Sequence, residues 1–229
     1  MKKIGIILIL GLILIQCSPK KQNQDEKTKF SEEELMTRVQ KQTFNYFWDG
    51  AESESGMARE RIHMDGVYPQ NDQDIVTTGG TGFGLMAILV GIERDFISRE
   101  DALQRYQKIV DFLSEADRFH GAWPHWLNGK TGEVKPFSKD DDGGDLVETA
   151  FLVQGLLAVK QYFIDGNEEE QALAKKIDRL WREVEWDWYT QGGENVLYWH
   201  WSPNYGWDMD HQITGYNECM ITYVLAASS

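Results

Sequence analysis

Gly143-Gly144-Asp145-Leu146-Val147-Glu148-Thr149-Ala150 closes a long, aromatic-rich loop and opens an apolar helix that runs to about Phe163. The next helix follows almost at once, because Phe163 to Asn167 is a short turn and Asn167-Glu168-Glu169-Glu170 is a capping box that carries it to about Val184. Long loop, helix, short turn, helix is the unit that decides the fold.

The same unit recurs on both sides. Ser31-Glu32-Glu33-Glu34 caps a first helix with Leu35, Val39, Phe44 and Phe47 as its apolar stripe. A second helix is expected from about Gly80 to Arg94, with Phe83, Leu85, Ile88, Leu89 and Ile92 inward, and Ile92 to Ser98 is again short. Its Gly79-Gly80-Thr81-Gly82-Phe83-Gly84 start reads as close helix packing; no strand is expected before it, which argues against a dinucleotide fingerprint. Ser98-Arg99-Glu100-Asp101 caps a third helix bearing Leu103, Tyr106, Ile109, Val110 and Leu113. A sixth helix is expected from near Tyr216 to the C-terminus. Strand-like material is confined to short hairpins, one turning at Asn128-Gly129-Lys130 and one weakly alternating over Asn195 to Trp201.

Short turns at one end and long loops at the other describe an all-α fold, an α/α toroid with short β-hairpins in its loops. Six hairpins close such a ring, and these six helices make about half of one. The last helix ends Val224-Leu225-Ala226-Ala227-Ser228-Ser229 without a polar stop, so a truncated or split protein is expected, with a separately encoded second half as a candidate partner.

Three segments are expected. Residues 1–17 hold Lys2, Lys3 and a short apolar run, the pattern of a signal peptide. Cys17 follows the run with Leu14 three residues before it, which resembles a lipoprotein signal; Gln16 departs from the small residue that pattern wants, and an ordinary signal peptide with an incidental Cys17 is the alternative. Residues 18–30 form a polar tether, and 31–229 the helical domain. The localisation expected is secretion across the inner membrane, with a lipid anchor at Cys17 in the bacterial envelope. Cys219 sits in an expected helix, so a structural disulfide with Cys17 is not expected.

The net charge of -14 argues against nucleic acid as a partner. Aromatic residues instead gather beside acids. Phe119, His120, Trp123, His125 and Trp126 precede Asp145 and Glu148; Trp199, His200, Trp201, Tyr205, Trp207 and His211 precede Glu218 in Gly215-Tyr216-Asn217-Glu218-Cys219. Sugar faces stack on aromatic rings while two carboxyl groups divide the proton traffic, so the pattern suits glycosidic-bond cleavage. Asp145 and Glu148 share a helix face, and a close pair can have its pKa values split; the same residues also make a good capping box, which needs no catalysis. Glu218 in a first helical turn would favour the helix dipole in any case.

Trp123, Trp126, Trp201 and Trp207 are candidate sugar platforms, with core packing as the alternative for each. Arg59 and Arg61 could bind sugar hydroxyls or simply be solvated. His125, His200 and His211 lack the spacing of a metal site with Asp208 or Asp210, and hydrogen bonding to hydroxyls suits them better. Asp140-Asp141-Asp142 reads as an exposed loop without the alternating ligands of a calcium loop.

A family resemblance is carried by Thr81-Gly82-Phe83-Gly84-Leu85, Ile92-Glu93-Arg94, Gly121-Ala122-Trp123-Pro124-His125-Trp126, Gly144 to Ala150, Tyr216-Asn217-Glu218-Cys219-Met220 and Leu225 to Ser229. In this order and spacing the chain resembles the bacterial glycoamylase-like (glucoamylase-like) proteins, similar to glycoside hydrolase family 144, from about residue 31 to the end. The resemblance implies an (α/α)6 barrel, hydrolysis of a β-glucan (β-1,2-glucan favoured) without a metal or other cofactor, and a cleft lined by Asp145, Glu148 and Glu218. Arg59, Arg61, Trp123, His125, Trp126, Trp201, Trp207 and Tyr216 are the candidate substrate-binding residues. Glu148 or Glu218 is then the candidate acid, with Asp145 tuning it. Family members run to roughly twice this length, which puts the fragment's activity in question.

Three functions therefore stand open. The first is a secreted glycoside hydrolase acting on an oligo- or polysaccharide. The second is a non-catalytic glycan-binding lipoprotein or inert half-domain, told apart by binding without product release. The third is another toroid enzyme such as an epimerase, where His125→Ala and His200→Ala would be the more damaging changes.

Overall fold

A computed structural model describes residues 30–229. The leader at 1–17, Cys17 and all of the tether except Phe30 lie outside the described residues.

Six α-helices are found among the described residues: α1 (Glu32–Trp48), α2 (Thr78–Glu93), α3 (Arg99–Glu115), α4 (Leu146–Phe163), α5 (Glu168–Arg182) and α6 (Met220–Ala226). The caps read from sequence are in place. Ser31 and Asn167 close full capping boxes with Glu34 and Glu170, and Ser98 accepts from the Asp101 amide. Each satisfies amides that have no partner inside the helix.

The helices form two layers. α4 packs against α2 on one side and α6 on the other, making an inner row; α3 and α5 pack together outside it, and α1 lies on α2. Composition explains the order. α3 and α5 each bury one stripe (Leu103, Tyr106, Ile109, Val110 and Leu113; Leu173, Ile177, Leu180 and Trp181), whereas α2 and α4 are apolar on most of their circumference and are covered on several sides. The glycines of α2 serve packing, as expected. A methyl group at Gly82 would run into the Phe151 backbone carbonyl, and one at Gly155 into the carbonyl of Gly82, so only hydrogen atoms fit between α2 and α4. The arrangement is that of part of an α/α toroid.

Short strands tie the loops over the N-termini of the inner helices. β1 (Ile75–Thr77), β2 (Trp126–Asn128) and β3 (Val134–Lys135) form an antiparallel sheet, with Thr77 opposite Trp126 and Trp126 opposite Lys135. β4 (Gly144–Asp145) pairs with β6 (His200–Trp201), while β5 (Leu197–Tyr198) pairs with β7 (Gln212–Ile213). The hairpin at Asn128 is the expected one, its side-chain oxygen accepting from the Lys130 amide at 2.9 Å.

Several expectations are corrected. A strand, β1, does precede α2; it is antiparallel and three residues long, so it makes no dinucleotide-binding βαβ unit. Asn195 to Trp201 is not a hairpin: its two halves pair with different segments, because β6 is drawn to the backbone of Gly144 and Asp145. α6 begins at Met220 rather than near Tyr216, since the Asn217 side chain bonds the Cys219 amide and holds a turn before it. Of the apolar stripe on α1 only Phe44 is buried; Leu35 and Val39 are exposed, as is Phe83 on α2. Cys219 itself is buried.

Candidate active site

The loops that end at the starts of α2 and α4 bring His125, Asp141, Asp145 and Glu148 together. Asp145 is the N-cap of α4, and its Oδ1 accepts from the amides of Val147 (3.0 Å) and Glu148 (2.8 Å). Its Oδ2 accepts from the Trp199 indole N–H at 3.0 Å and lies 3.1 Å from His125 Nδ1. A carboxylate offers about four lone-pair sites, and here each oxygen meets two donors. Asp145 is 1% exposed. Such a group is placed to orient the donors around it.

The capping-box expectation is half right. Asp145 caps, but Glu148 does not reach back to it. Glu148 Oε2 instead accepts from the Gly79 amide at 3.0 Å, at the start of α2. This explains the glycine, because a side chain at position 79 would collide with that carboxylate. Burial raises the Glu148 pKa, as do the charges of Asp145 and Asp141, against the opposing pull of His125 and the Gly79 amide.

Asp141 is the residue that sequence reasoning missed. The run Asp140 to Asp142 is not an exposed loop: Asp141 and Asp142 are 8% and 9% exposed. Asp142 is held by Ser202 Oγ at 2.5 Å and Asn204 Nδ2 at 2.7 Å. Asp141 turns towards the site, where burial first and the Asp145 charge second push its pKa to about 6, with His125 opposing. Its sequence signal was faint, three like charges before two glycines, and a solvated run explains such a pattern more often.

Two histidines differ in state. Burial lowers the His125 pKa, but the hydrogen bond and charge of Asp145 and the charges of Glu148 and Asp141 outweigh it and raise it overall. His200 is 2% exposed, and burial lowers its pKa against the pull of Asp145 and Asp142. Its Nε2 accepts from the Gly143 amide at 3.1 Å, so Nδ1 carries the proton, buried without a partner. The 3.3 Å approach of His200 Nε2 to Asp141 Oδ1 is therefore a contact between groups that both tend to neutrality, not an ion pair.

Ligand atoms of His125, Asp141 and Asp145 lie within 4.8 Å of one another, close enough to hold a metal ion. The donors on Asp145 compete with that use, since a cation there would have to displace a hydrogen bond.

Aromatic rings border the acids. Phe137 lies 4.3 Å from His125 and 4.8 Å from Trp126, and His211 covers Trp199 at 5.0 Å. Trp126, Trp201 and Trp207 are half-buried and keep surface for a ligand. Trp123 does not: it is fully buried, donates from its indole to the Leu113 carbonyl at 3.0 Å and lies under the Arg118 guanidinium. The sugar-platform reading of Trp123 is corrected to core.

Comparisons with known proteins sharpen the chemistry. No protein-family model matches the chain. The endo-β-1,2-glucanase of Chitinophaga pinensis, solved with sophorotriose and glucose, is 64% identical with a TM-score of 0.86, over 88% of this chain and 48% of its own. The β-1,2-glucanase of Parabacteroides distasonis is 49% identical with a TM-score of 0.80, over 86% of this chain and 28% of its own. An exo β-1,2-glucooligosaccharide sophorohydrolase (non-reducing end) of the same organism is 50% identical over 198 residues, 86% of this chain and 26% of that protein. The chain is homologous to part of these β-1,2-glucan hydrolases. It spans about half the length of the first and about a quarter of the other two.

The remaining candidates make no side-chain hydrogen bond or ion pair to the acid cluster among the described residues. Glu218 is exposed and precedes α6 instead of occupying its first turn. It does share a neighbour with the site: burial raises the Cys219 pKa, and the charges of Glu218 and Asp145 add to that. Tyr216 is 91% exposed and touches no other aromatic ring among the described residues. Arg61 pairs with Glu60 and approaches Asp72 at 3.8 Å, while Arg59 bridges to Val76 through its backbone at the edge of β1.

Proposed function

We propose that the chain carries an acid-bearing wall of a β-1,2-glucan hydrolase cleft. The observation that carries this reading is the cluster at the starts of α2 and α4. There Asp141 and Glu148 both have raised pKa values beside a fully hydrogen-bonded Asp145, with Trp126, Phe137 and Trp201 around them. Carboxyl groups pushed towards neutrality in a buried, hydrogen-bonded cluster are what general acid catalysis needs. The named activities of the homologous proteins supply the substrate class.

In this reading Asp141 or Glu148 donates a proton to the glycosidic oxygen as the C1–O bond breaks. Asp145 aligns His125 and Trp199, and its charge adds to burial in raising the Asp141 and Glu148 pKa values. Asp141 and Asp145 approach within 4.8 Å. That is below the about 6.5–9.5 Å of inverting pairs and the about 5–5.5 Å of retaining pairs, and with both Asp145 oxygens already hydrogen-bonded the two are assigned to one side of the bond. The group that activates water or attacks C1 must face them, and Glu218, across Cys219, is the candidate within this chain.

The test pairs this chain with the Chitinophaga pinensis glucanase. Linear β-1,2-glucan is titrated into the chain by calorimetry, and product release is followed in the relative carrying changes at the positions matching Asp141, Glu148 and Glu218. Undiminished turnover with all three carboxyls replaced by amides would sink the assignment. Binding by this chain without product release favours the glycan-binding alternative, which the 48% share of the solved relative supports. The leader and Cys17 support a secreted, lipid-anchored setting, tested by palmitate labelling that Cys17→Ala should abolish.

A further inference from the structure

A cavity of about 500 Å³ is lined by Trp188 and Trp207 together with Glu185, Asp187 and Gln191. Trp188 belongs to a cluster of Trp residues (Trp186, Trp188, Trp199, Trp201 and Trp207) whose spacing reads as a loop-lined cleft, and its ring is held by a neighbour. His120 stacks on it at 3.6 Å with an interplanar angle of 10°. His120 is in turn fixed three ways. Its Nδ1 lies 2.9 Å from Glu185 Oε2, its carbonyl accepts from the Glu185 amide at 3.0 Å, and its backbone sits at φ 50°, a conformation that a non-glycine residue adopts only when its surroundings compel it. One face of Trp188 is thus covered, while the side chain as a whole remains 39% exposed.

The ring is also connected to the acids. Trp201 lies one strand position from the residue paired with Asp145, since Gly144 faces Trp201 and Asp145 faces His200. Trp188 is 6.0 Å from Trp201 and 6.4 Å from Trp207. The strand that pairs with Asp145 thus carries Trp201 to Trp188, and Trp188 neighbours Trp207. Carboxylates on the rim can accept hydrogen bonds from hydroxyl groups, and a ring already ordered by His120 loses little freedom when a sugar stacks on it.

We infer that the cavity lined by Trp188 and Trp207 is a distal saccharide subsite, binding glucosyl units of the chain several rings away from the bond that is cut. It rests on the glucan reading of the acid cluster. It assigns Trp188 as a stacking platform, Asp187 as a hydroxyl acceptor and His120 as a positioning residue. Such a site adds affinity for long chains without touching the reacting atoms.

The experiment is calorimetric titration of the full chain with sophorose and, separately, with long linear β-1,2-glucan, using Trp188→Ala and Trp188→Phe. Loss of one stacked aromatic contact should weaken long-glucan binding by about 10-fold in Trp188→Ala, leave sophorose binding unchanged and be partly restored in Trp188→Phe. The unfolding midpoint of each variant is recorded alongside. Long-glucan binding that is the same in Trp188→Ala as in the unsubstituted chain overturns the inference alone. An unsubstituted chain that binds neither sugar overturns the glucan reading and this inference with it. Loss that follows Trp188 but not Asp141→Asn or Glu148→Gln upholds the subsite, since a proton donor need not contribute to ground-state binding.

Discussion

Replacing Asp145 separates its two duties, because Asn keeps one of them and Ala keeps neither. In Asp145→Asn the side-chain oxygen can still accept from the amides of Val147 and Glu148, so the α4 cap survives. The amide NH2 then faces His125 Nδ1 and the Trp199 indole N–H. His125 can change tautomer and accept; Trp199 is a donor only and is left unmet. One unmet donor costs about 1–3 kcal/mol. Asp145→Ala loses the cap as well, about another 1 kcal/mol, and strands His125 too, so about 3–5 kcal/mol in all is expected. Urea unfolding followed by tryptophan fluorescence measures both. The Asn change should also lower the His125 pKa, read by NMR, since the Asp145 hydrogen bond and charge are the leading forces that raise it. The sign follows. A raised histidine pKa stabilises the fold below its unfolded value of about 6.5 and loses that contribution as pH rises through the folded value, so Asp145→Asn should flatten stability above neutral pH. Equal destabilisation by Asn and Ala, or a change below about 0.5 kcal/mol in both, would refute the reasoning, since caps and buried donors are not that cheap.

Gly155→Ala should lower the thermal midpoint despite the better helix propensity of Ala, which is worth about 1 kcal/mol, because the added methyl meets the Gly82 backbone; a raised midpoint would contradict the close α2–α4 contact. Asp141 has its pKa raised to about 6, so its favourable contribution is complete below about 3.8 and is lost as pH rises through about 6. Asp141→Asn should therefore gain stability relative to the unsubstituted chain across that interval, seen as converging or crossing melting midpoints against pH. Trp123→Ala, emptying a fully buried site, should cost about 3–5 kcal/mol in urea unfolding. Trp126→Ala, at the half-buried rim, should cost far less stability and weaken glucan binding instead.

How much of this was written in the chain can be judged residue by residue. Ser31, Ser98 and Asn167 stood where helices begin, and a cap is a local device: the side chain bonds an amide three residues on, whatever the rest of the fold does. The apolar periodicity of α3 and α5 was equally legible, since one face of an outer helix meets one layer. Stripes alone misled on α1 and on Phe83, because nothing local says whether a facing layer exists. Trp123 and Trp126 are three residues apart with similar neighbours, yet one is core and the other rim; the 3.0 Å bond to the Leu113 carbonyl that separates them spans ten residues.

The sequence by itself determined the helices, their caps, the short turns between them, and the neighbourhood in which acids and aromatic rings would gather. Only the tertiary structure decided what those acids are. Asp145 is tied into the loops because Trp199, fifty-four residues on, brings an indole N–H to it. Glu148 leaves its own helix cap because Gly79, sixty-nine residues earlier, offers an amide. Asp141 becomes a protonatable group because β6 folds back over Gly143 and buries it. Protonation state depends on desolvation and on charges within a few ångströms. Those are properties of the assembled loops, and no stretch of the chain read alone contains them.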